Sequence, residues 1–227
     1  MYRFFTPLLR RLYIFVGAFL VVYYSVLLLQ HSHWNKERLY RRLMTGDREG
    51  QLRAVADLVY VNGQAQLVRA LKSRSPVVRQ IAANSLLNLW SLEAGGKAHR
   101  LLDKANQSIE RGDHAEALLT LNELIEQYPK FAEGWNRRAT LYWNLHQYQE
   151  AIADCQKVIA LNPDHFGAWQ GMGICQVHLG DLAGACDSLR TALKISPHDR
   201  SLQQFLDHCE ELLHKVAPGL KPRYDVI

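Results

Sequence analysis

The amino-acid sequence predicts an all-α fold, a solenoid of helical repeats set behind one membrane-spanning helix. Two patterns carry this expectation. Proline recurs at 34-residue intervals as Pro129, Pro163 and Pro197, in step with Ala117, Ala151 and Ala185 and with Trp135 and Trp169. Far upstream, residues 12 to 29 (LYIFVGAFLVVYYSVLLL) carry no charge. A fixed period of roughly 20 to 50 residues signals stacked supersecondary units, and an uncharged run of about 18 residues is long enough to cross a bilayer core as a helix.

The 227 residues leave room for one sizeable folded region and a short accessory segment. Residues 1–11 form a basic start with Arg3, Arg10 and Arg11, residues 12–30 the transmembrane anchor, and residues 31–48 a basic juxtamembrane segment with Lys36, Arg38, Arg41 and Arg42. Much of the net charge of +5 comes from these flanks. Basic residues beside an apolar span attract anionic headgroups, whereas a nucleic-acid module carries its basic stripe on the folded domain. A membrane is therefore an expected partner and nucleic acid is not.

A cleaved signal peptide is the competing reading of the span. Its apolar core is normally shorter and is followed by a small-x-small cleavage site, which QHSHWNKER does not supply, so the span is expected to be a retained single-pass anchor. Positive charge on both flanks leaves its orientation open. An Arg-rich start before an apolar span resembles an export signal and points to the extracytoplasmic, periplasmic side. Cys155, Cys175, Cys186 and Cys209 point the other way, because they form no C-x-x-C pair and fall on predicted helices, where they read as small buried hydrophobes.

The period divides the chain into units 98–131, 132–165 and 166–199. The second holds Trp135, Ala139, Tyr142, Tyr148, Ala151, Val158 and Pro163; the third holds Trp169, Gly173, Gly180, Ala185, Ala192 and Pro197. The first departs, with Leu101, Ser108 and Leu124 at marked positions. Small residues let paired helices approach, aromatics fill the space between units, and proline forbids continuation of the second helix. This pattern resembles the tetratricopeptide repeat (TPR) family, in its membrane-anchored bacterial type. The resemblance implies two antiparallel helices per unit in a right-handed solenoid. Residues 200–215 read as an amphipathic capping helix that covers the last unit, followed by a tail over 216–227. Upstream, residues 64–90 contain two helical segments broken at Ser73 to Pro76. Pro76, Val78 and Arg79 open the second, and Ala82, Ala83, Leu86 and Leu87 follow at helical spacing. This resembles a HEAT-type unit, so HEAT-like helices are expected over 49–97, continuous with the repeats.

The stretch HFGAWQGMGICQVH, residues 165 to 178, offers two chemical readings. Gly171 and Gly173 imitate a phosphate loop, but the repeat places them mid-helix, with Gly173 equivalent to Ala139 and Ala105 as a packing position. Cys175 and His178 lie one helical turn apart, yet a metal needs more ligands and a nucleophile needs an oriented base. His31 and His33 need no metal, and the sequon at Asn106, Gln107 and Ser108 falls inside a helix. Asp225-Val226-Ile227 resembles a ligand for a PDZ domain. No Ser-His-Asp set, carboxylate pair or HExxH is present. Neither enzymatic activity, a cofactor, a metal nor a small-molecule substrate is expected.

The resemblance implies a concave groove lined by the first helix of each unit. Projected onto this sequence, that face carries Asn106, Asn136, Arg137, Thr140, Trp143, Asn144, Gln170, Ile174, Val177 and His178. Arg137 beside Trp143 reads either as a carboxylate or carbonyl donor next to an apolar anchor for a peptide, or with Trp143 simply packed against the neighbouring helix. Chaperone co-factors of the family grip a C-terminal carboxylate with Lys, Asn and Arg. The matching positions here are Leu102, Asn106, Arg137, Gly167, Gln170 and Gly171, and only Asn106 agrees. The expected function is a membrane-anchored scaffold or assembly factor that binds a protein or peptide segment. The alternatives are a structural accessory subunit of a larger membrane complex and, last, a thiol or metal enzyme on Cys175 and His178.

Overall fold

The computed structural model describes residues 5–216, with side chains from Leu12 onward. The basic start and the tail beyond Val216, including Asp225-Val226-Ile227, lie outside these described side chains. Twelve helices are present among the described residues, and the chain divides into two compact units, Met1–Leu67 and Val68–Ile227.

In the first unit, α1 (Phe5–Gln30) leads into α2 (His33–Thr45) and α3 (Arg48–Tyr60). Apolar side chains stand exposed all round α1 from Leu12 to Leu29, the pattern of a helix that has no protein core to face. The Ser32 hydroxyl caps α2 by accepting from the Asn35 N–H at 3.2 Å, and Asp47 caps α3 by accepting from the Gly50 N–H at 2.9 Å. Residues 31–48 are therefore more than a basic flank. Leu39 and Leu43 on α2 are buried, as are Ala54, Val55 and Leu58 on α3, with which α2 pairs.

After α4 (Gln64–Ala70), the second unit contains α5 (Pro76–Leu92) and three helical hairpins: α6 (Gly95–Glu110) with α7 (His114–Gln127), α8 (Ala132–Asn144) with α9 (Tyr148–Leu161), and α10 (Phe166–His178) with α11 (Leu182–Ile195). α12 (Arg200–Val216) closes the array on α11, burying Leu202, Leu206 and Cys209. The hairpin turns repeat in detail. Gly112, His146 and Gly180, 34 residues apart, take φ of 77°, 60° and 80°. The next amides, of Asp113, Gln147 and Asp181, each donate 2.9 Å bonds back to the carbonyls of Ser108, Tyr142 and Gln176. This left-handed closure satisfies carbonyls that the helix end would otherwise leave unpaired. The connections between hairpins repeat too. The indole N–H of Trp135 donates to the Pro129 carbonyl at 3.0 Å, and that of Trp169 to the Pro163 carbonyl at 2.9 Å.

The expected HEAT-type hairpin does not describe the upstream helices. α4 has 7 residues and α5 has 17, so α4 is too short to pair along α5. α5 instead runs beside the repeats, past the loop that closes each one. Near its C-terminus, Glu93 and Ala94 border a cavity with Tyr128, Pro129 and Phe131. One turn earlier, Trp90 stacks on His165 beyond Pro163, and at the opposite end Pro76 and Arg79 border a cavity with Pro197 and His198. A 17-residue helix is about 25 Å long, enough to traverse all three loops. Ser75 caps it by accepting from the Val78 N–H at 3.4 Å, and Val78, Ala82, Leu86 and Trp90 form its buried stripe at four-residue spacing.

Candidate binding groove

Small side chains set the spacing of the helices that build the groove. A Cβ added to Gly173 would meet Leu189 Cγ at 2.9 Å and the Ala185 carbonyl oxygen at 3.3 Å, so the hydrogen at Gly173 is what lets α10 close on α11. Ala139, at the same register on α8, is buried against Cys155 and Met172. A Cβ on Gly171 would touch, among the described residues, only Cys155 Sγ, at 3.7 Å. Its missing side chain thus leaves open space on the exposed side of α10.

That space is a cavity of about 200 Å³ between α8 and α10, walled by Asn136, Thr140 and Trp143 on one helix and by Gly167, Gln170, Gly171 and Ile174 on the other. Ala139, Cys155 and Cys175 lie at its base. Pockets for drug-sized molecules run to roughly 300–1,000 Å³, so this one suits one or two side chains. Among the described residues, no Lys, Arg, Asp or Glu lines it. Thr140 donates to the Asn136 carbonyl at 3.0 Å and the Asn136 amide donates to Glu133 at 3.2 Å. Gln170 remains as the amide free to meet a ligand among the described residues.

Five of the ten projected groove residues, Asn136, Thr140, Trp143, Gln170 and Ile174, line this cavity. The others do not. Asn106 is half-buried on α6 and Asn144 is exposed at the end of α8. Val177 packs against the core shared by α11 and α12, and His178 stacks on Tyr148 with centroids 4.5 Å apart and planes within 3°. Arg137 does not line the cavity: its Nη2 donates to Glu133 Oε1 at 3.1 Å, and its side chain stays 36% exposed. Trp143 stands out by comparison with its own repeat equivalents. Ile109 and Val177, one period to either side, pack against cores, while Trp143 is 41% exposed.

Glu133 anchors a polar network behind the groove that sequence reasoning missed. It is 3% exposed and accepts from Asn136, Arg137 and His165, the last at 3.3 Å. His165 is fully buried, and its Nδ1 accepts the Ala168 N–H at 3.1 Å as the cap of α10. With Nδ1 an acceptor, the neutral ring carries its proton on Nε2 and donates it to Glu133. A second knot joins three helices: Arg138 grips Asp154 with two bonds of 2.7 and 2.8 Å, reaches Asn122 at 2.7 Å, and lies over the Trp135 ring at 5.0 Å. The hydrogen bond to Asp154 raises the Arg138 pKa. The only sequence signal for either group was its charge on an otherwise packed helix face.

The thiols at the base of the groove are poor nucleophiles. Burial pushes Cys155 up to about 12 and Cys175 up to about 11, so both are protonated at neutral pH, and the His178 ring lies flat on Tyr148. Among the described residues no group of three His, Cys, Asp or Glu is placed to hold a metal.

Comparison with known proteins places this geometry among its relatives. Models of the tetratricopeptide repeat match residues 102–163 and 140–205. A TPR repeat-containing protein of Rhizobium etli is 32% identical over 149 residues, covering 65% of this chain and 73% of that protein. The Hsp70-Hsp90 organizing protein of Triticum aestivum is 26% identical over 117 residues, covering 52% of this chain but only 20% of its own length. In structure, the first TPR of Spaghetti (RPAP3), bound to the HSP90 peptide SRMEEVD, matches with a TM-score of 0.50 and 24% identity over 52% of this chain and 93% of that one. At that identity the likeness is one of fold.

Proposed function

The chain belongs to the tetratricopeptide repeat family, and from that premise we propose that it is a membrane-anchored, non-enzymatic interaction scaffold of the bacterial type, whose groove between α8 and α10 takes an apolar side chain of a partner peptide. The observation that carries this reading is Trp143, exposed over an uncharged cavity although its repeat equivalents are packed away. An exposed aromatic at the wall of a concave apolar site is the kind of residue that dominates binding energy. Gln170 then holds the peptide backbone, and the space left by Gly171 admits it closely.

The same lining argues against a carboxylate-rich ligand such as the HSP90 peptide described with the related structure. Recognition of a terminal carboxylate relies on charged donors. Here Leu102 is buried, Gly167 has no side chain, and Arg137 is held by Glu133. An apolar or mixed peptide fits the groove better than an acidic one.

Anchoring rests on the span Leu12–Gln30, apolar and unburied along its length. The proposed organisation places the basic flanks at the membrane surface and the helical array as the part that recruits. Both halves of the proposal are open to test. Membranes washed in alkaline carbonate should keep the full chain in the pellet; release into the supernatant refutes the anchor. Capture from mild detergent should retain a partner with the wild-type chain and lose it with both Trp143→Ala and Gly171→Leu. An unchanged set of captured proteins from both variants refutes the groove.

A further inference from the structure

The structure brings two thiols together on the element that closes the array. Cys186 on α11 and Cys209 on α12 have their Sγ atoms 3.2 Å apart, the Cys186 thiol donating to Cys209, which donates in turn to the Leu182 carbonyl at 3.5 Å. Both are buried, at 0% and 1% exposure, within the core that docks α12. Beside them, Arg190 ties the same two helices together through Glu210 at 2.8 Å. No third His, Cys, Asp or Glu joins the pair to make a metal site among the described residues. The other two cysteines, Cys155 and Cys175, lie apart at the base of the groove.

We propose that Cys186 and Cys209 are a site of oxidative modification, a structural disulfide that staples α12 to α11 when the chain folds in an oxidising compartment. A disulfide needs its sulfurs about 2.05 Å apart. The two helices hold them at 3.2 Å, about 1 Å farther apart than that bond length, a gap small enough to close without a change of register. The oxidant is a small-molecule or protein disulfide, with oxidised glutathione as its simplest form. One cysteine, as thiolate, attacks the oxidant and releases one glutathione thiol. The second attacks the mixed disulfide, forming the Sγ–Sγ bond and releasing another. Two S–H bonds are lost from the protein, and their protons and electrons appear in two reduced glutathiones.

Burial raises both thiols, Cys186 to about 12, so the docked pair does not exchange. The bond forms while α12 is undocked, and docking then shields it from reductant. The physical benefit is local. A helix that packs chiefly on one neighbour, as α12 does on α11 among the described residues, is the kind of element that opens first, and the cross-link closes a loop between residues 186 and 209 that contains the whole connection to it.

The test refolds the full chain in detergent with reduced and oxidised glutathione, then counts thiols by maleimide mass tagging after denaturation. Two of the four cysteines should be lost to tagging, with one cross-linked peptide joining Cys186 to Cys209. Tm should rise by roughly 5–10 °C relative to the reduced protein. The Cys155→Ala/Cys175→Ala double variant should keep the cross-link and the shift; Cys186→Ala and Cys209→Ala should each lose both. Four taggable thiols after refolding in excess oxidised glutathione, or a cross-link to Cys155 or Cys175, overturns the assignment and leaves the pair as small packing residues.

Discussion

Trp90 and His165 lie face to face, 75 residues apart in sequence, with ring centroids 4.4 Å apart and planes within 24°. The contact joins α5 to the loop between the second and third repeats, and it has an uncompensated component. Trp90 is 1% exposed and its indole N–H finds no partner among the described residues. Truncation and relief should therefore separate. Trp90→Ala should lower unfolding free energy by about 3–5 kcal/mol. Trp90→Phe should do far less harm, because it keeps a ring against His165 and removes a buried donor whose desolvation costs about 1–3 kcal/mol. Denaturant titration of both variants checks this; equal losses would show that the indole edge matters more than the stack.

The second repeat turns on residues less suited to the geometry than those of its neighbours. His146 adopts φ of 60° where Gly112 and Gly180 stand, and Gln147 gives α9 no side-chain cap where Asp113 and Asp181 cap α7 and α11. Gln147→Asp should stabilise by about 1 kcal/mol. His146→Gly should gain less, since relief of the left-handed backbone is offset by loss of the 2.8 Å bond to the Tyr148 hydroxyl. Thermal unfolding of the two variants measures both.

Breaking the Arg138–Asp154 pair should be severe. Asp154 is 4% exposed and its carboxylate is held by two bonds. Asp154→Ala strands a cation between three helices and is expected to cost about 3–5 kcal/mol. The loss should fall well below that when Arg138 is removed in the same chain, a coupling that a double-mutant cycle reads directly.

Groove variants should leave the fold intact. Trp143 is substantially exposed, and a side chain at Gly171 meets only Cys155 at ordinary contact distance. Gly171→Leu fills the cavity while replacing a mid-helix glycine, which favours the helix by about 1 kcal/mol. Its Tm is expected to equal or exceed that of the wild type while peptide capture is lost. A fall of many degrees would mean that position 171 is a packing site.

Alkaline pH should erode stability through the buried thiols. In the folded chain Cys155 is raised from 9.0 to about 12, so the neutral form is favoured there. The stability this confers is complete below pH 9 and is lost as pH climbs through about 12, the unfolded thiol ionising first. The slope for one such group is about 1.4 kcal/mol per pH unit. Between pH 9 and 11, Cys155→Ala should therefore lose stability more slowly than the wild type, and chemical denaturation across that range provides the comparison.

The sequence by itself determined the hairpins. Proline, alanine and tryptophan at a 34-residue period located each hairpin, whereas the left-handed turn shared by Gly112, His146 and Gly180 emerged from the backbone geometry. Gly173 was legible as a packing position because its equivalents, Ala105 and Ala139, are small as well. Such features are local or lie between neighbouring units, so their signature is carried by spacing along the chain. The tertiary structure alone decided what lies across the repeats. The buried stripe of α5 is equally consistent with a HEAT-type partner, and only the fold brings Trp90 to His165. The charge of Arg137 is visible in sequence, but its commitment to Glu133 depends on a rotamer and a neighbour. Likewise, nothing in the spacing of Cys186 and Cys209 places their sulfurs together. Those contacts are set by where separate helices come to rest, a sum over packing of the whole array that no single periodicity encodes.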